Sequence, residues 1–179
     1  KTEKFNKFLP HKDKKPSAFV SIMEGCNKYC SFCVVPKTRG HEFSRPIQKV
    51  LNEVRELASE GTREIVFLGQ NVNAYREGNS KEKGLGLSKL IRETSKVEGI
   101  GRIRFITSHP AEFGKPLINI YGEIPKLAKH VHLPVQSGSD KILKNMRRRY
   151  TAEEYIGIIS KLREASPGIG ISSDFIVGF

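Results

Sequence analysis

Short apolar runs and amphipathic helical stretches alternate five times along this chain with no hairpin signal between them, and this alternation restricts the fold more than any other feature. Residues 18–23 read as a mostly apolar strand. A helix follows, capped by Ser44 with Pro46 in its first turn, its apolar face formed by Ile47, Val50, Leu51, Val54, Leu57 and Ala58 before Gly61 ends it. Residues 64–68 have the near-continuous apolar character of a buried parallel strand. A Gly-, Asn-, Ser- and Lys-rich loop at 71–86 leads to a second helix carrying Leu87, Leu90, Ile91, Thr94 and Val97. Then come a strand at 102–106, a less regular helix at 115–122 and a strand at 130–135 with Pro134 near its end. A short helix at 140–145 is capped by Ser139. A longer helix is opened by the capping box Thr151/Glu154, with Tyr155, Ile158, Ile159, Leu162 and Ala165 along one side. A fifth strand closes the chain after Pro167-Gly168. Such alternation demands parallel strands joined by right-handed crossovers, either a doubly wound sheet or a barrel segment, and periodicity does not choose between them. In both, ligands bind at the carboxyl ends of the strands, where the polar clusters of this chain fall.

Length and charge narrow the class. The chain has 179 residues, enough for one core but short of the roughly 250 of a closed eight-unit barrel. It begins at Lys1 and stops in an apolar run, so it reads as a fragment. Neither 18 consecutive apolar residues nor the apolar core of a signal peptide occurs, which predicts a cytoplasmic protein without a membrane span. The formal charge of +12 favours a polyanionic partner, and it is uneven: +4 falls in residues 1–15 and +6 in residues 126–150. Lys141, Lys144, Arg147, Arg148 and Arg149 form the densest cluster, and beside a strand-end site they would contact phosphates of an RNA. The competing reading is a solvated helix end.

All three cysteines, Cys26, Cys30 and Cys33, fall on one short loop after the first strand, in the spacing C-x3-C-x2-C. An odd number so spaced is no disulfide framework; it is a ligand set. Zinc would need a fourth ligand such as His41, and an electron-transfer cluster would need a fourth thiolate. Three thiolates on a [4Fe–4S] cube leave one iron open to a cofactor bearing an amine and a carboxylate.

That last arrangement, directly after the first strand of a parallel α/β chain, resembles the radical SAM superfamily. Residues 23–30, 32–36, 38–40, 68–75, 107–110, 132–140 and 172–179 further resemble the tRNA methylthiotransferases within it, above all the branch acting on N6-isopentenyladenosine. The resemblance implies an incomplete six-stranded parallel (β/α) barrel, truncated in its fifth strand, at 18–179, with 1–17 a basic arm or interdomain linker. It implies a transferase of tRNA modification that uses a [4Fe–4S] cluster and S-adenosyl-L-methionine to add a methylthio group at adenine C2 next to the anticodon. The alternatives are another tRNA adenosine or a ribosomal protein as substrate and, from a different class, a zinc-stabilised RNA-binding module. It also implies a second cluster in an N-terminal domain outside this sequence, an external electron donor, the anticodon arm of tRNA as partner, and a monomer insufficient alone for full turnover.

Individual residues follow from both lines of reasoning. Cys26, Cys30 and Cys33 are the cluster ligands. By resemblance, Phe32 packs near the cofactor adenine, and Gly69, Gln70 and Asn71 receive the methionine amino group. Ser108 with His109, and Gln136 with Ser137, end two strands; they suit ribose hydroxyls or a carboxylate, or else cap the next helices. His130 and His132 read as packed neutral histidines, and Asp174 has no assigned role. No residue is singled out as catalytic.

Overall fold

The computed structural model describes residues 15–76 and 82–179. The expected basic arm at 1–17 therefore lies almost wholly outside the described residues, as does the middle of the loop read at 71–86. The chain forms β1 (Ser17–Ser21), β2 (Met23–Glu24), α1 (Val35–Thr38), β3 (Phe43–Ser44), α2 (Ile47–Ser59), β4 (Glu64–Leu68), α3 (Leu85–Ser95) and β5 (Arg102–Phe105). After these come α4 (Lys115–Glu123), β6 (His130–His132), α5 (Asp140–Asn145), α6 (Ala152–Ala165) and β7 (Gly170–Ser172). Single 3₁₀ turns follow β4 and β5, at Val72–Ala74 and Pro110–Glu112.

Strand order decides between the two topologies left open by periodicity. β1, β4 and β5 pair in parallel in that order, β6 pairs in parallel with β7, and an isolated parallel bridge from Ile103 to Leu127 joins the two groups. The five long-range strands thus follow chain order without the reversal that a doubly wound sheet makes at its switch point. The result is an arc of a parallel barrel with its helices outside.

The period-2 alternation of each strand sends one row of side chains outward to those helices. Ala18 and Val20, Ile65 and Phe67, Ile103 and Phe105, and Val131 meet Val50, Leu51, Val54, Leu87, Leu90, Ile91, Leu117, Ile120 and Leu162 in one core. Burying each large aliphatic side chain here contributes about 1.5–3 kcal/mol. The opposite row faces the concave side and is more open: Phe19 is 61% exposed and Arg102 and His130 are exposed as well, although Val66 of β4 is buried.

Two local expectations are corrected. Ser44 does not cap α2: it lies in β3, which pairs antiparallel with β2 (Met23 with Ser44, Glu24 with Phe43), and its Oγ accepts from Arg76 N at 3.1 Å. Pro46 takes the N-cap position instead. This small ribbon carried no hairpin signal because residues 25–42, the whole cysteine loop, separate its strands. Ser139 occupies the N-cap position of α5 without a side-chain cap bond, whereas the Thr151/Glu154 capping box of α6 is fully formed, at 3.1 and 2.8 Å.

Candidate functional site

The cysteine loop leaves the barrel at the carboxyl end of β1 and returns along β3, and its shape depends on one glycine. Gly25 has φ +81°, and a Cβ there would sit 2.2 Å from His41 O. Its N–H donates to Gln70 Oε1 at 2.7 Å, tying the loop to the end of β4. Cys26 N donates to Gly40 O at 3.2 Å, and Cys33 N to Cys30 O at 3.0 Å. On its far side the loop is pinned to the end of α5, where Ser31 donates from N to Met146 O (3.2 Å) and from Oγ to Asn145 O (3.0 Å). Cys30 is buried, while Cys26 and Cys33 are half-buried. Burial pushes the Cys26 thiol above its ordinary range, so a metal must offset that desolvation to hold it as thiolate.

Cys30 lies among polar groups from three other elements. Arg148 is 5% exposed; its Nη1 is 3.5 Å from Cys30 Sγ, its Nη2 donates to Pro134 O at 2.7 Å and its Nε to the Tyr150 hydroxyl at 2.8 Å. His109 Nε2 lies 3.9 Å from the same sulfur. Because His109 Nδ1 accepts from Ala111 N at 3.1 Å, the ring proton resides on Nε2, facing the thiol. Burial, followed by the nearby Arg148 and Lys28 cations, pushes the His109 pKa down to about 2, so the ring is neutral. Asn73, fully buried, holds the His109 backbone through two 2.9 Å hydrogen bonds. Glu112, in the 3₁₀ turn after β5, is ion-paired with Lys28 of the loop and, at 2.9 Å, with Arg76.

The residues assigned to the cofactor divide by what the structure does with them. Gly69 packs against Met23, where a Cβ would lie 2.5 Å from Met23 Cγ and 3.1 Å from Met23 O, and its carbonyl accepts from Thr107 Oγ1. The Gln70 amide oxygen is engaged by Gly25. Asn71 Oδ1 and Ser108 Oγ are buried with no hydrogen-bond partner in the protein, while the Asn71 amide donates to Glu42 Oε1 at 3.2 Å. Ser108 caps nothing; the cap of the following 3₁₀ turn is His109. Gln136 adopts φ +73°, and its backbone pairs with Asp174 O and Ile176 N, both at 2.9 Å. Ser137 Oγ accepts from Ser139 N at 3.2 Å. Phe32 is 40% exposed and meets Phe179 edge-on at 6.5 Å.

The basic cluster is corrected at one position. Arg147 and Arg149 take φ +59° and +58°, so the backbone zigzags and turns Arg148 inward, unavailable to a phosphate; Lys141, Lys144, Arg147 and Arg149 stay exposed. Nor are His130 and His132 packed in the core. His130 is exposed and His132 half-buried on the concave side, where His132 contacts Ser172 Oγ (2.9 Å) and Asp174 Oδ2 (3.2 Å). Two outer clefts, about 720 Å³ between α2 and α3 and about 610 Å³ between α4 and α6, contain none of these residues.

Sequence reasoning missed Arg148 as a neighbour of Cys30, and it gave no role to Asn73, Glu112 or Lys28. One signal was present: an Asn and a Glu closely following the second and third strands, each beside apolar residues, mark buried polar groups that require partners.

A family model, the radical SAM superfamily, matches residues 20–179. The chain belongs to the radical SAM superfamily. Among curated proteins it is 56% identical over 177 residues to a tRNA-2-methylthio-N(6)-dimethylallyladenosine synthase of Alkalilimnicola ehrlichii, covering 99% of this chain and 40% of that protein. It is 57% identical over 182 residues to the enzyme of that name from Xanthomonas oryzae pv. oryzae, covering 99% of this chain and 38% of the relative. The chain thus spans about two fifths of the length of these relatives. Among solved structures, the cobalamin-dependent S-adenosylmethionine radical enzyme OxsB superposes with TM-score 0.68 at 18% identity, covering 88% of this chain and 23% of that one. The radical S-adenosylmethionine methyltransferase TsrM from Kitasatospora setae does so with TM-score 0.67 at 17% identity, over 89% and 30%. These two show the fold: a radical SAM barrel.

The residues present fit an iron–sulfur cube: Cys26, Cys30 and Cys33 share one loop at the end of β1 and supply three soft thiol donors. His41, the fourth zinc ligand considered from the sequence, places Nδ1 3.2 Å from Asn27 Oδ1 and 3.3 Å from the Tyr29 hydroxyl. The orphaned Asn71 and Ser108 oxygens suit a polar organic cofactor beside it. No helix among the described residues is long and apolar enough to cross a membrane.

Proposed function

We propose that this chain is the cofactor-binding core of a radical S-adenosylmethionine tRNA methylthiotransferase, one that adds a methylthio group to C2 of N6-isopentenyladenosine beside the anticodon. The observation that carries the reading is the three-thiol loop at the carboxyl ends of the barrel strands, in a chain that matches methylthiolating synthases along nearly its whole length. Cys26, Cys30 and Cys33 hold the [4Fe–4S] cluster. When bound, that cluster supplies the electron that splits S-adenosylmethionine to a 5′-deoxyadenosyl radical. Around it, Asn71 and Ser108 offer acceptors to the cofactor's amine and hydroxyls, Gly69 lets Met23 pack directly against the strand end, and Gln70 holds the loop in place. Gln136, Ser137 and Phe32 complete the lining.

On this reading the protein works in the cytoplasm as a monomer, takes its electron from an external donor, and contacts the anticodon arm through Lys141, Lys144, Arg147 and Arg149. Sulfur insertion requires the remaining three fifths of the relatives' length, including the domain expected to carry a second cluster. Anaerobic reconstitution with iron and sulfide is expected to give a brown protein with about four irons per chain and an electron paramagnetic resonance signal that changes on adding S-adenosylmethionine. A colourless protein holding one zinc overturns the reading. Mass spectrometry of tRNA nucleosides from cells lacking the full-length gene then identifies the substrate. Loss of the 2-methylthio group from isopentenyladenosine is the expected result, and its persistence shifts the assignment to another adenosine or a ribosomal protein.

A further inference from the structure

Arg148 is a buried cation with three acceptors, and none of them is a carboxylate. Its guanidinium is fixed from behind by Pro134 O and from the side by the Tyr150 hydroxyl, which itself donates to Val135 O at 2.7 Å, and its Cζ lies 5.3 Å from the Tyr150 ring centre. The remaining nitrogen, Nη1, reaches Cys30 Sγ. Leaving a charge this deeply buried without a carboxylate is costly unless an anion completes the site. A thiolate of an anionic cluster is such an anion. The neutral His109, its tautomer held by Ala111, directs a second N–H toward the same sulfur, so Cys30 is flanked by donors on two sides.

We propose that Arg148 is an electrostatic positioning residue for the cluster, holding Cys30 in place and raising the cluster's reduction potential by keeping a cation and an N–H donor against that sulfur. The physical basis is differential. Reduction adds one negative charge, a nearby positive charge and N–H donors favour the more negative state, and at 5% exposure the guanidinium is little screened by salt. This inference rests on reading the three cysteines as cluster ligands, and the experiment separates the two. The full chain and its R148Q and R148K variants are reconstituted anaerobically, checked for fold by circular dichroism and for iron content, and titrated with dithionite and mediators under electron paramagnetic resonance.

R148Q is expected to keep its cluster and become harder to reduce, by at least tenfold in the one-electron equilibrium, or 59 mV, while R148K stays closer to the parent. A parent that takes up no cluster sinks the ligand assignment. A parent with a cluster and an R148Q variant of unchanged potential sinks only the role of Arg148. Should R148Q fail to hold a cluster, R148K decides: a cluster at parental potential supports the charge, and loss of the cluster there too reduces Arg148 to a fold residue and overturns the proposal.

Discussion

Asn73 and His109 are clasped by two hydrogen bonds of equal length, 2.9 Å, in which the Asn73 side-chain amide donates to the His109 carbonyl and accepts from the His109 N–H. A side chain thereby does what a neighbouring strand would do for the backbone as it leaves the barrel. It also sets the direction of the imidazole beside Cys30. Replacing Asn73 by Ala strands two buried backbone groups and is expected to cost about 2–4 kcal/mol, read as a lower urea midpoint. An unchanged midpoint would show that another group takes over the pairing.

Gly25 offers a sharper test of how the cysteine loop is built. A Cβ at this position meets His41 O at 2.2 Å in a left-handed backbone, so neither rotation nor side-chain adjustment relieves the contact. Gly25→Ala is expected to displace the 25–42 loop, lower iron incorporation several-fold and cost at least about 1–2 kcal/mol from the left-handed backbone alone. Normal iron content in this variant would mean that the thiols do not depend on the loop conformation described.

Glu112 holds two cations at once, one of them on the cysteine loop. Its side chain is 6% exposed, against 16% for Lys28 and 34% for Arg76, so the carboxylate is the member with least access to water. Glu112→Gln removes the charge both cations rely on, and the expected loss is about 3 kcal/mol, the low end for a broken buried pair because both partners retain some water. Equilibrium unfolding measures it; a loss under about 1 kcal/mol would place this network among ordinary surface pairs.

Charge reversal at Lys141, Lys144, Arg147 and Arg149 tests the proposed RNA surface. These four are exposed along α5 and the turn that follows it, and the Ser31 hydrogen bonds join the end of α5 to the cysteine loop. Binding of tRNA is expected to weaken and its salt dependence to flatten by about one unit of slope for each phosphate no longer neutralised. Reversal of Lys161 and Arg163, exposed on α6, should change neither by a comparable amount. Equal effects from both sets would reduce the interaction to net charge.

The sequence was most legible where a local pattern has one structural solution. Thr151 and Glu154 at three-residue spacing form the capping box that spacing predicts. Strand order was not legible, because a crossover helix has the same pattern whether the next strand lies left or right; the Ile103–Leu127 bridge supplied it. Three consecutive arginines carry no phase, so nothing marked Arg148 as the inward one until the left-handed backbone at Arg147 and Arg149 was seen. Ser44 failed as a cap because a tertiary pairing with Met23 claimed its backbone first. Asn71 and Ser108 were legible as strand-end polar residues, but their burial without partners belongs to the assembled barrel.

Cys30 and Arg148 touch across 118 positions of chain. At about 5–20 residues per second of synthesis, the thiols emerge roughly 6–24 s before the guanidinium that covers one of them. During that interval the loop is a set of uncovered soft ligands in a nascent chain, exposed to oxidants and to stray metal ions alike. Loading of the proposed cluster is therefore a matter of timing as well as of affinity, with Arg148 and Tyr150 the last of these pocket residues to be synthesised.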